Sequence, residues 1–452
     1  MISLDRYRPH VKQSWQLAYP VMLSQLSHVM VGVTDSIMVG HVGATSLAAA
    51  SLANVIFNLL MLFGIGVSYA ITPLVATAEG EGDTIKISDT LRHGLMIALI
   101  NGLLLIAIVL LCRPVLHHID QPEDVVKLAI PYLTILAFSL LPVLIFQSFR
   151  QFAEGLSNTR IAMIIMLGSV ALNVFLNYIL IYGHLGFSPL GLNGAGWGSL
   201  VARIVMMLVI AGYIYFAGQF KKYRLGFAIR NYSSKVFKQL LNIGIPAGMQ
   251  FIFEVAAFDF SAIMMGWLGT NTLAAHQIAI NLATISYMTT SGLASAATIR
   301  VSNELGRRNF TKLKDVAYTL MLLALGCMTL WAILFIAGRN FLPTIYIENI
   351  EVINIAAPLI VIAGLFQLSD GAQVVCTGAL RGLQDVKVPS LLIFVAYWII
   401  GLPLGYYLGF VAGYGSSGIW YGLLIGLTIT AIAMFVRFRM LLKKLMAQPQ
   451  SL

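Results

Sequence analysis

The sequence predicts an all-α polytopic membrane protein with twelve transmembrane helices in two six-helix bundles. Hydrophobic residues make up 59% of the 452 positions and charged residues only 10%, and the mean hydropathy is +0.86. A soluble domain carries about 25% charged residues, so a soluble fold of this length could not cover so much apolar surface. Apolar segments long enough to cross a bilayer as helices lie near 14–37, 45–75, 93–112, 126–149, 161–183, 194–217, 239–265, 272–296, 316–337, 353–377, 389–411 and 416–437.

The net charge of +10 orients the chain in the membrane. With the N-terminus inside, cytoplasmic segments hold 24 of the 28 Lys and Arg, and the outer loops hold Arg113, Lys127 and Arg339. Arg203 alone lies within a span, close enough to its outer end to snorkel. This distribution follows the positive-inside rule and predicts cytoplasmic termini. The basic segments would face anionic lipid headgroups, so membrane lipids are expected partners and nucleic acid is not.

The chain repeats one unit of six spans. The first third of each half aligns at an offset of 226 residues, and later matches occur at 227 and 224. Because six is even, both halves enter from the same side, as in the parallel repeats of secondary transporters. We therefore predict an N-lobe at 1–217, a cytoplasmic linker at 218–238 and a C-lobe at 239–452, with a cleft suited to alternating access. The aligned pairs include Pro20 with Pro246, Gly66 with Gly292, Pro131 with Pro358, Gly155 with Gly382, Gly194 with Gly418 and Gly198 with Gly422.

Four acidic residues lie inside predicted spans: Asp35, Glu254, Asp259 and Asp370. A charged side chain at the bilayer centre costs roughly 2.5–3.5 kcal/mol on insertion scales, so each is a candidate functional residue. Their alternative role is that of a hydrogen-bonded acid within the packing. The repeat mates of Asp35, Glu254 and Asp370 are Ser261, His28 and Val143, so these three acids are additions to one lobe only.

The energy source is narrowed by what the sequence lacks. There is no G-x-x-x-x-G-K-[ST] loop and no soluble segment long enough for a nucleotide-binding domain, which favours an ion gradient over ATP. Buried carboxylates can bind Na⁺ or carry a proton. Cys112, Cys327 and Cys376 match no metal or redox spacing. We expect no cofactor, and a coupling ion that is either Na⁺ or H⁺.

Four stretches carry a resemblance to a known family: T-D-S-I-M-V-G-H-V-G at 34–43, L-A-A-H-Q-I-A-I-N at 273–281, T-I-R-V-S-N-E-L-G at 298–306 and G-A-L-R-G-L-Q-D at 378–385. Together they resemble the multidrug and toxic compound extrusion (MATE) family of the MOP superfamily, in its NorM-like branch. The resemblance covers essentially the whole chain. It implies cation-coupled efflux of organic cations and other amphipathic toxins.

The resemblance also implies roles for particular residues. Asp35, with Asn173 and Asn177, would form an N-lobe ion site. The two asparagines are four apart on one helix face, although interhelical hydrogen bonding is an alternative role for them. Glu254 and Asp370 would form a C-lobe site, so Na⁺ is possible at Asp35, Glu254 or Asp370. Pro20 would allow a kink in the first span.

One departure and three further candidates complete the site. Phe366 lies where NorM-like proteins can carry a tyrosine near the cation site, which puts Na⁺ coordination in the C-lobe in question. Gln277 and Tyr287 are candidates for the wall of a substrate cleft. Asp259 is a candidate there too, because it lies five residues from Glu254 and does not share its helix face.

The sequence therefore predicts a multidrug antiporter of the bacterial inner membrane that acts as a monomer and is not an enzyme. A lipid-linked oligosaccharide flippase of the same superfamily is the nearest alternative, disfavoured because only one cationic residue lies within a span. A channel or receptor would not explain a duplication with asymmetric acids. An intramembrane enzyme would need clustered histidines or a nucleophile–base pair, and neither occurs.

Overall fold

The computed structural model describes residues 8–118, 121–223 and 232–447, and these ranges are helical without any strand. Part of the predicted linker, 224–231, lies outside the described residues, as do 1–7, 119–120 and 448–452. The helices of the first repeat are α1 Arg8–Gly40, α2 Ala44–Ser68, α3 Ile71–Glu81, α4 Thr84–Cys112, α5 Glu123–Gly155, α6 Arg160–Tyr182 and α7 Leu192–Phe216.

The second repeat contains three segments that are not plain α-helix. Its α-helices are α8 Ser234–Trp267, α9 Thr270–Gly306, α10 Phe310–Gly338, α11 Ile350–Gly382, α12 Lys387–Phe394, α13 Leu402–Tyr406 and α14 Gly415–Met446. Two π-helical segments, Val395–Gly401 and Tyr407–Val411, join α12 and α13 into one long element. A short 3-10 helix, Leu342–Ile345, precedes α11.

All twelve predicted spans are helical. The predicted span 45–75 is divided between α2 and α3, and the span 389–411 is the α12–α13 element with its two π segments. Ten helical segments of the described ranges are long and apolar enough to cross a membrane by length and composition. The other two are α1 and α9, which are 33 and 37 residues long. Polar residues lower the hydropathy of both, and they include Asp35 in α1.

The chain packs as two compact units: an N-terminal unit of Leu23–Gly248, and a C-terminal unit of Met1–Met22 with Met249–Leu452. These units begin and end elsewhere than the lobes predicted at 1–217 and 239–452. The first part of α1 packs with the C-terminal unit, and the first part of α8 packs with the N-terminal unit. The boundaries after Met22 and Gly248 are 226 residues apart, which is the offset of the repeat.

The same close contact occurs once in each unit. In the N-terminal unit, a Cβ atom built on Gly66 of α2 would lie 2.5 Å from the Cα atom of Gly248 in α8. In the C-terminal unit, a Cβ atom on Gly292 of α9 would lie 2.7 Å from the carbonyl oxygen of Ala18 in α1. Only glycine allows such an approach of two helix backbones. The repeat therefore places a glycine where each of these helices meets its neighbour.

Arg300, near the end of α9, fastens the first turns of α1 in the C-terminal unit. Its Nη1 atom donates to the His10 carbonyl oxygen at 2.9 Å and to Ser14 Oγ at 2.6 Å. Its Nη2 atom donates to Gln13 Oε1 at 3.0 Å and lies 3.1 Å from His10 Nδ1. Burial lowers the pKa of Arg300 to about 10, so it stays charged at neutral pH. Burial and the nearby Arg300 charge lower the pKa of His10, which keeps its ring neutral and able to accept.

We expect Arg300→Ala to loosen the first turns of α1. Hydrogen bonds from a charged donor contribute about 1.5–3 kcal/mol, so the variant should melt at a lower temperature in detergent. Amide hydrogen exchange should rise within 8–22. Arg339→Ala removes the same side chain from an exposed position and serves as the control. Equal melting and exchange in the two variants would contradict the assignment.

Candidate ion sites

Asp35 is held by hydrogen bonds from two other helices of the N-terminal unit. Asn177 Nδ2, on α6, donates to Asp35 Oδ1 at 2.5 Å. Ser199 Oγ, on α7, donates to Asp35 Oδ2 at 3.1 Å. Asn173 Nδ2 donates in turn to Ser199 Oγ at 3.2 Å, and Asn177 Nδ2 lies 3.4 Å from Asn173 Oδ1. The structure thus brings Asp35, Asn173 and Asn177 together.

Sequence reasoning missed Ser199. It is 3% exposed and bonds both Asp35 and Asn173, so it belongs to the site as much as the asparagines do. A signal was available. Its repeat mate at the offset of 224 is Leu423, so a polar residue in one repeat faces an apolar residue in the other.

Arg203 does not snorkel towards the outer surface as predicted. One of its guanidinium nitrogens, Nη1, donates to the hydroxyl of Ser139, which is fully buried. The guanidinium carbon lies 4.8 Å from the centre of the Phe57 ring, also buried. Arg203 and Asp35 interact electrostatically. A permanent positive charge therefore acts on the Asp35 site and opposes the binding of a second cation there.

Gly198 allows α7 to approach the Asn177 side chain. A Cβ atom on Gly198 would lie 2.3 Å from Asn177 Oδ1. This oxygen is buried and has no hydrogen-bond partner among the described residues. Asn177 therefore donates to Asp35 through its nitrogen and keeps an unused carbonyl oxygen, which is a ligand of the kind that Na⁺ accepts.

The second site lies in the C-terminal unit between α8 and α11. Gln373 Nε2 donates to Glu254 Oε1 at 2.8 Å. Asp370, only 6% exposed, interacts electrostatically with Glu254 and is hydrogen-bonded to Thr290. The predicted acidic pair is therefore present as a pair. Repulsion between two nearby carboxylates is relieved when a cation or a proton binds to one of them.

The hydroxyl that Phe366 lacks is supplied in this region by another residue. Phe366 is buried, and its ring packs 6.1 Å from Phe258 and 6.2 Å from Trp420 between centroids. Tyr397, fully buried on the π-helical segment Val395–Gly401, donates from its hydroxyl to Gln373 Oε1 at 3.3 Å. Sequence reasoning identified neither Tyr397 nor Gln373.

The three cleft candidates lie away from these carboxylates or at the edge of the second site. Asp259 is exposed on α8, and Gln277 is exposed on α9, where its Nε2 atom donates to Asn281 Oδ1 at 3.3 Å. Tyr287 is half-buried on α9 and interacts electrostatically with Tyr397. Their predicted role as a substrate wall stays a prediction.

Pro20 and the metal-binding capacity of the chain can be stated directly. Pro20 is buried inside α1, which continues through it as one helix. Across residues 8–118, 121–223 and 232–447, no group of three or more His, Cys, Asp and Glu side chains could hold a metal ion. Any Na⁺ at the two carboxylate sites would therefore depend on amide, hydroxyl or backbone oxygens as well.

The fold and these sites define a membrane transporter built from two repeats, and comparison with known proteins supports this class. The MatE family model matches residues 20–179 and again 246–407, once in each repeat. Solved structures share the fold. The eukaryotic MATE transporter AtDTX14 has a TM-score of 0.87 at 19% identity, over 97% of this chain and 99% of its own. A multidrug resistance MATE family transporter in an outward-facing conformation has a TM-score of 0.88 at 21% identity, over 97% of each chain.

The protein belongs to the MatE family, as its motifs predict. It is 34% identical to the probable multidrug resistance protein NorM of Rhizobium meliloti (strain 1021), over 99% of this chain and 97% of that protein. It is 35% identical to the probable NorM of Agrobacterium fabrum, over 96% and 95%. Multidrug resistance protein MdtK of Yersinia pestis (strain Pestoides F) is 34% identical over 98% of both chains.

We expect Gly198→Ala to displace Asn177 from Asp35 and to destabilise the N-terminal unit. The added methyl group would occupy the position of Asn177 Oδ1, and overpacking of this kind costs about 1–3 kcal/mol. Gly212→Ala is the matched control, because it lies on the same helix with no atom within 4 Å of the added Cβ. Melting curves in detergent check the difference. A Gly198→Ala protein as stable as Gly212→Ala would contradict the packing described.

Proposed function

We propose that this protein is a cation-coupled antiporter that exports organic cations and other amphipathic compounds across the bacterial inner membrane. The observation that carries the proposal is the presence of a carboxylate site with amide partners in each of the two units. The names of its relatives NorM and MdtK, both multidrug resistance proteins, support the substrate class. The positive-inside pattern places both termini in the cytoplasm.

At the N-terminal site, ion binding would exchange hydrogen bonds for a new contact. Asp35 now accepts from Asn177 and Ser199. A Na⁺ ion at Asp35 would repel these donors and attract oxygens, such as the unpaired Oδ1 of Asn177. A proton would turn one Asp35 oxygen from an acceptor into a donor. Either event changes which atoms link α1 to α6 and α7.

At the C-terminal site, ion binding would relieve repulsion between Glu254 and Asp370. These side chains lie on α8 and α11, so their separation depends on what is bound between them. Gln373 moves with Asp370, because both lie on α11. The occupied and empty sites would therefore favour different arrangements of α8 against α11.

Coupling requires only that ion and substrate stabilise opposite states. In our proposal, the ion binds from outside and favours release of substrate. The bundles then reorient and the ion is released inside, where a new substrate binds. The steep inward gradient of Na⁺ or H⁺ gives this cycle its direction without ATP.

We expect Asp35→Asn, Glu254→Gln and Asp370→Asn each to lower substrate efflux. Each change keeps the size of the side chain and removes its charge. Loss of one charge-assisted interaction is about 1.5–3 kcal/mol, or roughly a tenfold to hundredfold loss of coupled rate. Asp124→Asn, exposed in the first turn of α5, is the control. Ethidium accumulation in cells that express each variant at equal levels measures the effect.

Proteoliposomes with Na⁺ and pH gradients imposed separately give the stricter test. We expect one of the two gradients to drive uptake of a fluorescent organic cation by inside-out protein. Full activity in all three carboxylate variants, or transport that responds to neither gradient, would overturn the proposal.

A further inference from the structure

The π-helical segment Val395–Gly401 is a difference between the two repeats. A π turn adds one residue to an α-helix and is frequent at functional sites. The added residue is visible in the numbering. Gly155 and Gly382, before the paired helices, are 227 apart, whereas the residues that contact the mates Gly198 and Gly422 are 228 apart. Those residues are Asn177 and Gly405.

The same numbering shows that the second repeat cannot copy the first site. At an offset of 228, Asn173 and Asn177 correspond to Gly401 and Gly405. A Cβ atom on Gly422 of α14 would lie 2.4 Å from the Cα atom of Gly405 and 2.5 Å from the carbonyl oxygen of Gly401. Backbones are in contact there, so no amide side chain fits. The C-terminal site must take its polar groups from elsewhere.

Two consecutive residues of the π segment supply contacts to two consecutive residues of α8. Trp398 Nε1 donates to the carbonyl oxygen of Phe253 at 2.9 Å. Tyr397 donates to Gln373 Oε1, and Gln373 Nε2 donates to the carboxylate of Glu254. Tyr397 is fully buried and Gln373 is 1% exposed.

We propose that Tyr397 is a positioning residue of the C-terminal ion site, which acts on Glu254 through Gln373. A glutamine amide has an oxygen end and a nitrogen end of nearly the same shape, so packing alone does not fix its orientation. The Tyr397 hydroxyl can donate to the oxygen end, which directs the nitrogen end towards Glu254. The hydroxyl thus acts on the ion ligand in the region where Phe366 has none. This inference rests on the proposed role of Glu254 in ion coupling.

The alternative is that Tyr397 only packs. Its ring lies 5.8 Å from that of Phe258 between centroids, and the site would keep its shape without the hydroxyl. Tyr397→Phe separates the two roles, because it keeps the ring and removes one oxygen. Tyr318→Phe is the matched control, since Tyr318 lies in the same unit on α10 and its ring packs against Phe435.

The experiment measures transport of a fluorescent organic cation in proteoliposomes as a function of the driving ion. One neutral hydrogen bond contributes about 0.5–1.5 kcal/mol, which corresponds to roughly a two- to tenfold change in an equilibrium constant. We expect Tyr397→Phe to change the half-saturating ion concentration by about that factor, at an unchanged maximal rate. For Na⁺ the concentration should rise, because Glu254 is less well oriented. Tyr318→Phe should match the wild type.

A second variant tests the route of the effect. Gln373→Leu cuts the same chain one bond closer to Glu254, and we expect it to change the half-saturating concentration at least as much. Tyr397→Phe added to Gln373→Leu should give no further change, since Tyr397 acts through Gln373. Gln373→Leu also tests the chain if Tyr397→Phe is poorly folded.

The outcomes separate this inference from the function on which it rests. If the wild type is driven by an ion gradient and Glu254→Gln abolishes transport, the proposed function stands. A Tyr397→Phe protein with the half-saturating concentration of Tyr318→Phe would then overturn the positioning role alone. Additive effects of Gln373→Leu and Tyr397→Phe would overturn it as well. Transport by the wild type without either gradient would overturn both.

Discussion

The contact of helix backbones at Gly66 and Gly292 is the constraint on which both sites depend. Each glycine lets the start of a long helix, α8 or α1, lie directly against its neighbour. Within a bilayer, burial from water does not drive such contacts, so close van der Waals approach of small residues does. The same two helices then run on to carry Asp35 and Glu254. The position of each acid therefore follows from a contact in the unit opposite to its own in the contact division.

Much of the fold could be predicted because the signals are long and repeated. Twelve apolar segments and a constant offset predict helices, pairing and duplication before any side chain is placed. The N-terminal site followed as well, since Asn173 and Asn177 had to share a helix face. Lobe boundaries drawn at a connecting loop did not match the contact units, because residues 8–22 and 234–248 pack by their glycine contacts and not by chain order.

The missed residues fall into two kinds. Ser199, Arg203 and Gln373 are polar where their repeat mates, Leu423, Leu427 and Phe146, are apolar. The comparison that singled out the acids would have found them had it been applied to every polar residue. Tyr397 could not be found that way. One inserted residue turns the helix by about 100°, since an α-helix has 3.6 residues per turn, and no side-chain pattern announces where that insertion lies.

The two sites are chemically different, and their charges indicate how. Asp35 is a single carboxylate that interacts with the permanent charge of Arg203, so the two charges partly offset each other. Glu254 and Asp370 bring two carboxylates together, with the charge of Arg381 acting on Glu254. Coulomb attraction of a cation is therefore stronger where the acids are paired, and weaker where an arginine already balances one. A duplication that began with equal lobes has come to hold two unequal ion sites, so the two need not bind the same ion or bind it in the same state of the cycle.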